Sequence, residues 1–167
     1  FEGKYTTLNE VSIEPAPIQK PHPPIWVAGR KEPAMKRTAK YADGWLPYMY
    51  TPDQLHESIQ KIKSLRKAYG RDAESFIPGV FIFTATHADG DKGREMAATR
   101  LSKQYAQDFS KLIGKYAVAG TPEECRKRIQ EYIDAGAQTV ILPSACPTNY
   151  IGENTRLIGE EIIPAFR

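Results

Sequence analysis

The residues of this chain that are best suited to chemistry follow the first short apolar run. The run Ile25-Trp26-Val27-Ala28 ends at Gly29, and Arg30 and Lys31 come next. Gly29 permits close backbone approach, and the two basic side chains supply positive charge. A helix predicted to begin near Pro33 directs its free amides at the same place. These features fit a phosphate site, and a solvated basic turn beside a helix cap explains them equally well.

Aromatic and titratable side chains in other predicted loops are further candidates. Trp45, Tyr48 and Tyr50 follow a very short strand, where an aromatic ring can stack on a planar ligand. The structural interpretation places Trp45 in the core and the two tyrosines at the rim, and it is the one we expect for Trp45. His87 follows the third strand, in the position of a general acid or base, although a lone loop histidine is more often a surface residue. The remaining histidines, the cysteines and one loop serine lack a partner at catalytic or metal-ligand spacing: His22, His56, Cys125, Cys146 and Ser144.

Composition and missing motifs exclude several classes of protein. No GxGxxG or GxxxxGK[ST] motif is present, so a standard dinucleotide or nucleoside-triphosphate loop is not supported. The 167 residues include only two cysteines and no Cys/His cluster, which argues against a metal site and favours a reducing, cytoplasmic location. The net charge of +3 is too balanced to indicate nucleic acid or an anionic membrane as partner. No apolar run approaches the roughly 18 residues of a membrane span.

Two segments carry the same helix-start signal. In Thr51-Pro52-Asp53-Gln54 and in Thr121-Pro122-Glu123-Glu124, a threonine at the cap position precedes proline, and Gln or Glu stands three residues after the threonine. Threonine caps the first turn, proline suits the first helical position, and the third residue completes a capping box. We therefore predict helices that begin at these two points.

The order of the predicted elements indicates an α/β fold. Residues 1–24 form an irregular lead-in because five prolines interrupt them. Residues 25–167 contain four predicted βα units, with strands at 25–28, 45–46, 79–85 and 139–142. A long helical stretch is expected at about 92–113 and a last helix at about 153–163. Such alternation predicts parallel strands joined by crossover helices, in a doubly wound sheet or in part of a (β/α)8 barrel.

Several short fragments follow one another in a fixed order along nearly the whole chain. They are Phe1-Glu2-Gly3-Lys4-Tyr5, Pro15-Ala16-Pro17-Ile18-Gln19, Pro23-Pro24-Ile25-Trp26-Val27-Ala28-Gly29, Ala39-Lys40-Tyr41-Ala42-Asp43-Gly44-Trp45, Gly70-Arg71-Asp72, Gly120-Thr121-Pro122-Glu123-Glu124, Ala135-Gly136-Ala137 and Ile163-Pro164-Ala165-Phe166-Arg167. By their order and spacing they resemble the carboxyl-terminal half of the luciferase-like flavin monooxygenases, a superfamily that also contains F420-dependent reductases and dehydrogenases.

The resemblance implies half of a TIM barrel, namely strands five to eight with their helices. It implies FMN, or alternatively F420, as the cofactor, with the cofactor phosphate near the loop after the fifth strand. We therefore name Ala28, Gly29, Arg30 and Lys31 as candidate cofactor-binding residues. Many family members carry a small hydroxyl residue where this chain has Arg30, so phosphate binding here would use the charged guanidinium group of Arg30 in place of a hydroxyl.

The resemblance also implies that much of the ring pocket belongs to an amino-terminal half, and no residue here matches it. The catalytic residues therefore stay unassigned. A half-barrel exposes two strand edges, 25–28 and 139–142, and the apolar inner face between them, at a cost of roughly 25 cal/mol per Å² of apolar area. We expect that the other half has been cut off, that another chain supplies it, or that two such chains pair as a homo-oligomer.

The leading functional hypothesis is a flavin-dependent monooxygenase that uses reduced FMN and O2 on a small organic substrate. An F420-dependent reductase or dehydrogenase is the alternative, and the Gly29 loop does not separate the two because both cofactors carry a phosphate. A phosphate-binding aldolase or isomerase would need a catalytic lysine or a Glu/His pair at strand ends, and no predicted strand contains a lysine. A non-catalytic half-barrel interaction module is the remaining hypothesis.

Overall fold

The computed structural model describes residues 1–166, so Arg167 of the last family fragment lies outside the described residues. The first 25 residues contain no helix, and most of their side chains are exposed. One isolated antiparallel bridge joins Glu2 to Thr7 within this segment. The segment therefore leads into the α/β body as an extended, proline-rich stretch.

Six short strands and six α-helices follow. The strands are β1 (Trp26–Ala28), β2 (Gly44–Leu46), β3 (Ile77–Phe81), β4 (Phe83–Thr86), β5 (Ala117–Gly120) and β6 (Thr139–Ile141). The helices are α1 (Glu32–Tyr41), α2 (Pro52–Ala68), α3 (Gly90–Tyr105), α4 (Ile113–Tyr116), α5 (Pro122–Asp134) and α6 (Ile151–Leu157). A 3-10 turn precedes α6, and one π-helical and one 3-10 segment continue the chain to Phe166.

All pairs of these strands are parallel, which confirms the predicted fold class. Four strands are joined in the order β1-β2-β3-β6, and β4 pairs with β5. The register places Ala28 beside Leu46 and Phe81 beside Ile141. Strands β1 and β6 lie at the two ends of the four-stranded sheet, as expected for the edges 25–28 and 139–142.

Strands β3 and β4 form one extended run that changes its neighbour near Ile82. The amide of Phe81 donates to the carbonyl of Pro47 beyond β2, whereas the amide of His87 donates to the carbonyl of Gly120 in β5. The amides of Ile82 and Thr84 point the other way, to carbonyls at the end of β6. Strand β5 thus takes the place of β2 along the same edge. The sequence analysis missed β5, because Ala117–Gly120 is short and built of small residues.

Both predicted capping boxes are present. The Thr51 hydroxyl accepts from the Gln54 amide at 3.3 Å, and the Gln54 side chain accepts from the Thr51 amide at 3.1 Å. Thr121 and Glu124 repeat the arrangement, at 3.3 and 2.7 Å. Both capping boxes could be recognised in the sequence because capping depends on residues only three positions apart.

The predicted helix at 92–113 is two helices with a break. Helix α3 ends at Tyr105, where Ala106 adopts a left-handed backbone with φ of 50°, and α4 begins only at Ile113. The connection between them carries Gln107 and Phe109, and it lies near the carboxyl ends of β1 and β2. Among residues 1–166, no helix combines the length and apolar character needed to cross a membrane.

The sheet has one face covered by helices and one open face. Trp45 and Val80 point to the covered face and pack in the main core with residues of α2 and α5. On the other face, which we call the inner face, the Trp26 ring lies over Gly44, where an added Cβ would sit 2.5 Å from a ring carbon. Trp26 is 37% exposed and Ile141 40% exposed. The inner face is therefore apolar and open, as expected for a half-barrel.

Candidate functional site

The four candidate cofactor-binding residues lie together at the carboxyl end of β1. Ala28 is the last residue of the strand, and Lys31 is the residue that precedes helix α1. Ala28, Arg30 and Lys31 are exposed, and Gly29 is half-buried. The carboxyl end of a parallel strand is where ligands gather in α/β folds, so the position suits the predicted role.

Gly29 is required by the tight turn from β1 into α1. Its φ is +120°, a backbone conformation that side chains disfavour, and an added Cβ would lie 2.9 Å from the Cβ of Ala34. The close approach that the sequence suggested is therefore an approach of the strand end to helix α1. It brings the amino end of that helix directly beside Arg30 and Lys31.

The start of helix α1 offers fewer free amides than the sequence analysis expected. Pro33 has no amide hydrogen, and the amides of Ala34 and Met35 both donate to the carbonyl of Lys31. Glu32 adds a carboxylate in the first turn, with Lys36 at 3.1 Å and Lys61 at 2.9 Å. Hydrogen bonds from these two lysines, Lys61 first, lower the pKa of Glu32 to about 2. Positive charge at this site thus comes from the side chains of Arg30 and Lys31 more than from the helix.

Two buried aromatic residues fix the backbone of this loop. The indole Nε1 of Trp45 donates to the Gly29 carbonyl at 2.8 Å, and the Tyr50 hydroxyl donates to the Arg30 carbonyl at 3.1 Å. Trp45 is fully buried, as predicted. Tyr50 is only 7% exposed, so its predicted place at the rim is wrong, because its ring packs edge-on against Trp45 and its hydroxyl reaches inward. Only Tyr48 lies at the rim.

The Arg30 side chain extends towards β2 and not over helix α1. Its guanidinium carbon lies 5.0 Å from the centre of the Tyr48 ring, and its Nη1 donates to the Met49 carbonyl at 3.4 Å. None of the ion pairs within residues 1–166 involves Arg30 or Lys31. The loop therefore presents two cations without a carboxylate partner in the described part of the chain.

His87 lies at the carboxyl end of β4 with a defined set of contacts. Its Nδ1 accepts the amide of Asp89 at 2.8 Å, so the neutral ring carries its proton on Nε2. The ring stacks on Tyr150 with centres 5.5 Å apart. None of these contacts joins His87 to Arg30 or Lys31, so the structure does not bring the two candidates into one cluster.

The remaining polar candidates have structural partners. The Ser144 hydroxyl accepts from Asn154, whose buried side chain also accepts the amide of Thr86. Burial raises the pKa of both Cys125 and Cys146, which keeps the thiols protonated. His22 and His56 are exposed, the latter on helix α2. Within residues 1–166, no group of three or more His, Cys, Asp or Glu side chains is placed to hold a metal ion.

The buried Tyr132 predicts a measurable dependence of stability on alkaline pH. Its hydroxyl donates to the Tyr50 carbonyl at 2.6 Å, and burial raises its pKa from 10.0 to about 12. Because the neutral phenol is favoured in the folded state, its contribution is intact below about pH 10 and is lost as the pH rises through about 12. Replacing Tyr132 with phenylalanine should remove the last phenol to ionise in an ultraviolet titration and flatten the alkaline loss of stability. Tyr5→Phe, in the exposed lead-in, should change neither, and the prediction fails if both variants behave alike.

Known proteins match this chain in sequence and in fold. The sequence model of the luciferase-like monooxygenase family matches residues 1–115. The 5,10-methylenetetrahydromethanopterin reductase of Methanopyrus kandleri is 24% identical, and the match covers 100% of this chain and 57% of the reductase. This chain thus spans little more than half the length of that relative.

Two solved structures share the fold. An F420-dependent secondary alcohol dehydrogenase in complex with an F420-acetone adduct superposes with a TM-score of 0.81 at 21% identity, over 100% of this chain and 55% of the dehydrogenase. The monooxygenase RslO1 from Streptomyces bottropensis superposes with a TM-score of 0.79 at 21% identity and the same coverage. The fold is therefore that of about half a luciferase-like TIM-barrel enzyme. By its sequence match over residues 1–115, the chain belongs to the luciferase-like monooxygenase family.

Proposed function

We propose that this chain is the carboxyl-terminal half of the barrel of an F420-dependent oxidoreductase, which transfers hydride between the deazaflavin and an organic substrate. In this proposal β1, β2, β3 with its continuation β4, and β6 are strands five to eight, and residues 1–24 are the irregular lead-in. The match to the Methanopyrus kandleri reductase over the whole chain and the likeness to the F420-dependent alcohol dehydrogenase support it. Two buried free cysteines fit a cytoplasmic setting.

The observation that supports a phosphate-bearing cofactor in this proposal, F420 or FMN alike, is the pair of cations at the carboxyl end of β1. Arg30 and Lys31 have no ion-pair partner among residues 1–166, whereas the nearby Glu32 is already neutralised by two lysines. A phosphate placed there would meet net positive charge without displacing an existing ion pair. The donor set, an ammonium and a guanidinium fork, has the chemistry that phosphate recognition requires.

Each residue of the loop has a separate task in this proposal. Lys31 supplies a point charge, Arg30 supplies a planar set of donors, and Gly29 keeps side-chain bulk away from the strand end. Hydrogen bonds from Trp45 and Tyr50 to the loop carbonyls hold the backbone in place before a ligand arrives. The deazaflavin, when bound, supplies the hydride chemistry. The residues of this chain hold its phosphate end and orient it.

A flavin monooxygenase is the second candidate function. The likeness to monooxygenase RslO1, with a TM-score of 0.79, is nearly as close as the likeness to the F420-dependent enzyme. FMN also ends in a phosphate, so Arg30 and Lys31 would serve it in the same way. In that case the reaction would use O2 and reduced FMN on a small organic substrate.

The open inner face supports the proposal that this chain acts together with another half-barrel. Trp26 and Ile141 on that face are exposed by 37% and 40%, and β1 and β6 present unpaired edges. Solvent exposure of these edges and apolar side chains is unfavourable, so an amino-terminal half-barrel or a second copy of this chain would cover them. Analytical ultracentrifugation of the chain alone should show self-association. A stable monomer with a cooperative melt would contradict the expectation for the isolated chain.

Titration with the two cofactors tests the proposed function. We expect F420 to saturate the chain, alone or with its missing half, at lower concentration than FMN, as followed by ligand fluorescence. Replacing Lys31 with glutamine should weaken F420 binding about tenfold, because one charge-assisted contact is lost. The matched control is Lys127→Gln, which removes the same charge from an exposed position on α5.

Each outcome of the titration has a defined meaning. Tighter binding of FMN than of F420 would favour the monooxygenase. Equal affinities of the Lys31 and Lys127 variants would remove Lys31 from the phosphate site. Binding of neither cofactor, together with retention of a partner chain on purification, would favour the non-catalytic interaction module.

A further inference from the structure

A cleft of about 260 Å³ lies beside the carboxyl ends of β1 and β2, on the side of Arg30 that faces away from helix α1. Arg30 follows Ala28 by two residues and Tyr48 follows Leu46 by two, and Ala28 and Leu46 are paired in the sheet. Both residues lie just beyond these strand ends, and their side chains are neighbours, because the Arg30 guanidinium carbon lies 5.0 Å from the centre of the Tyr48 ring. A bridge between Tyr48 and Phe81 extends the same row across the sheet.

The lining of this cleft is cationic and aromatic. Arg30, Tyr48, Tyr105, Gln107 and Tyr116 contribute to it, and no aspartate or glutamate does. The connection between α3 and α4 brings Gln107 to the cleft from a distant part of the chain. The remaining lining residues are apolar: Met49, Phe109 and Leu112. One guanidinium group, three phenols and an amide therefore share the cleft with apolar side chains, a combination suited to an anionic group on an organic ligand.

Most of the donors of Arg30 are free for a ligand. The guanidinium has five N–H donors, and within residues 1–166 the one protein acceptor it contacts is the Met49 carbonyl, at 3.4 Å. Its guanidinium carbon lies over the Tyr48 ring, 5.0 Å from the ring centre, a contact that uses none of the N–H donors in a hydrogen bond. A carboxylate can use two parallel donors at such an edge.

The base of the cleft is held rigidly by buried hydrogen bonds. The Tyr50 hydroxyl joins the Arg30 carbonyl to the Ser58 hydroxyl, with both distances 3.1 Å. Tyr132 in turn donates to the Tyr50 carbonyl at 2.6 Å. Because the backbone under Arg30 is already ordered, a ligand does not have to order it on binding.

We propose that this cleft is a carboxylate site beside the phosphate position at Lys31, in which further donors of Arg30 bind a carboxylate of an elongated ligand. The inference deepens the proposed function and rests on it for one of two sources of the carboxylate. F420 carries a chain of glutamates beyond its phosphate, and this tail is the first source. A carboxylate on the organic substrate is the second. FMN has no carboxylate to place there.

Binding measurements with matched ligands separate the two positions. The ligands are F420 with a tail of at least two glutamates, the same deazaflavin phosphate without glutamates, free γ-glutamylglutamate and benzoate. The proteins are the unmodified chain, Arg30→Gln, Arg30→Lys and Lys31→Gln. Affinity is measured by fluorescence or calorimetry, and ligand-induced shifts of Tm give a second readout that does not depend on activity.

If the tail is the source, Arg30→Gln should weaken binding of the tailed cofactor about tenfold more than it weakens binding of the tail-less one. The affinity of Arg30→Lys for the tailed cofactor should lie between those of the unmodified chain and Arg30→Gln, because lysine keeps the charge and lacks the planar set of donors. Lys31→Gln should weaken both cofactors equally. Loss of γ-glutamylglutamate binding in Arg30→Gln would support the tail, and loss of benzoate binding alone would support the substrate carboxylate.

Other outcomes overturn the inference and leave the proposed function intact. If Arg30→Gln weakens both cofactors equally, Arg30 is a phosphate ligand and the cleft is not a carboxylate site. If it weakens no ligand, the cleft binds none of them. Failure of the unmodified chain to bind either cofactor would instead count against the proposed function, while γ-glutamylglutamate and benzoate would still test the cleft.

Discussion

Replacing Trp45 with alanine is expected to lower the free energy of unfolding by about 3–5 kcal/mol and Tm by roughly 10 °C. Trp45 is fully buried in the core beneath the sheet, and its indole Nε1 holds the Gly29 carbonyl at 2.8 Å. The alanine variant loses the ring and leaves a cavity, and it also releases the loop that carries Arg30. Urea denaturation of the chain measures the first effect, and anion binding measures the second.

Trp45→Phe is the matched control for this prediction. It keeps an aromatic ring in the core and removes the donor to Gly29, so we expect a loss of about 1–2 kcal/mol. Because this hydrogen bond holds the loop, the phenylalanine variant should bind F420 at Lys31 more weakly than its small loss of stability suggests. Binding that follows global stability alone in both variants would show that Trp45 does not position the loop.

Replacing Arg66 with methionine is expected to destabilise the chain by about 3–5 kcal/mol, because each hydrogen bond to a charged donor contributes about 1.5–3 kcal/mol. The residue is 1% exposed, and its guanidinium donates to the Ala42 carbonyl at 2.8 Å and to the Asp72 carbonyl and the Ser75 hydroxyl at 2.9 Å. Methionine keeps the apolar stem and removes the three charge-assisted hydrogen bonds, although the Ala42 carbonyl still accepts from Arg71 and the Asp72 carbonyl from the Ser75 hydroxyl. Burial, with a smaller contribution from Arg71, lowers the pKa of Arg66.

Arg71→Met is the control for Arg66. Arg71 also donates to the Ala42 carbonyl at 2.8 Å, but its side chain is 27% exposed, so water can replace the lost contacts. We expect its loss to lower the free energy of unfolding by about 1 kcal/mol. Urea denaturation of both variants checks the difference, and equal effects would show that burial is not what makes Arg66 important.

Local signals in the sequence predicted the parts of the fold that depend on neighbouring residues. Thr51 and Thr121 begin helices as expected, because a capping box needs only four consecutive positions. The change of neighbour at Ile82 was not predictable in the same way, since it depends on pairing with β5, more than 30 residues further along the chain. Strand β5 itself lacks the β-branched pattern that identifies most strands.

For the candidate site, the sequence likewise predicted the position of the loop but not its long-range contacts. The rule that ligands gather at strand ends identified the loop from Gly29 to Lys31 without any contact information. The role of Tyr50 as an anchor and the cleft beside Arg30 depend on the register between β1 and β2 and on the course of the chain after α3. Those relations join residues far apart in the sequence, and no local pattern encodes them.

The position of the Trp26 ring limits how deeply any ligand can enter. The indole lies across Gly44 and Gly79 at the lower row of the inner face, two residues below Ala28 and four below Arg30. Because each row rises by about 6.6 Å, the ring lies roughly 13 Å below the level of Arg30 on this half of the barrel. A ligand held at Arg30 could therefore extend along this face only as far as the indole.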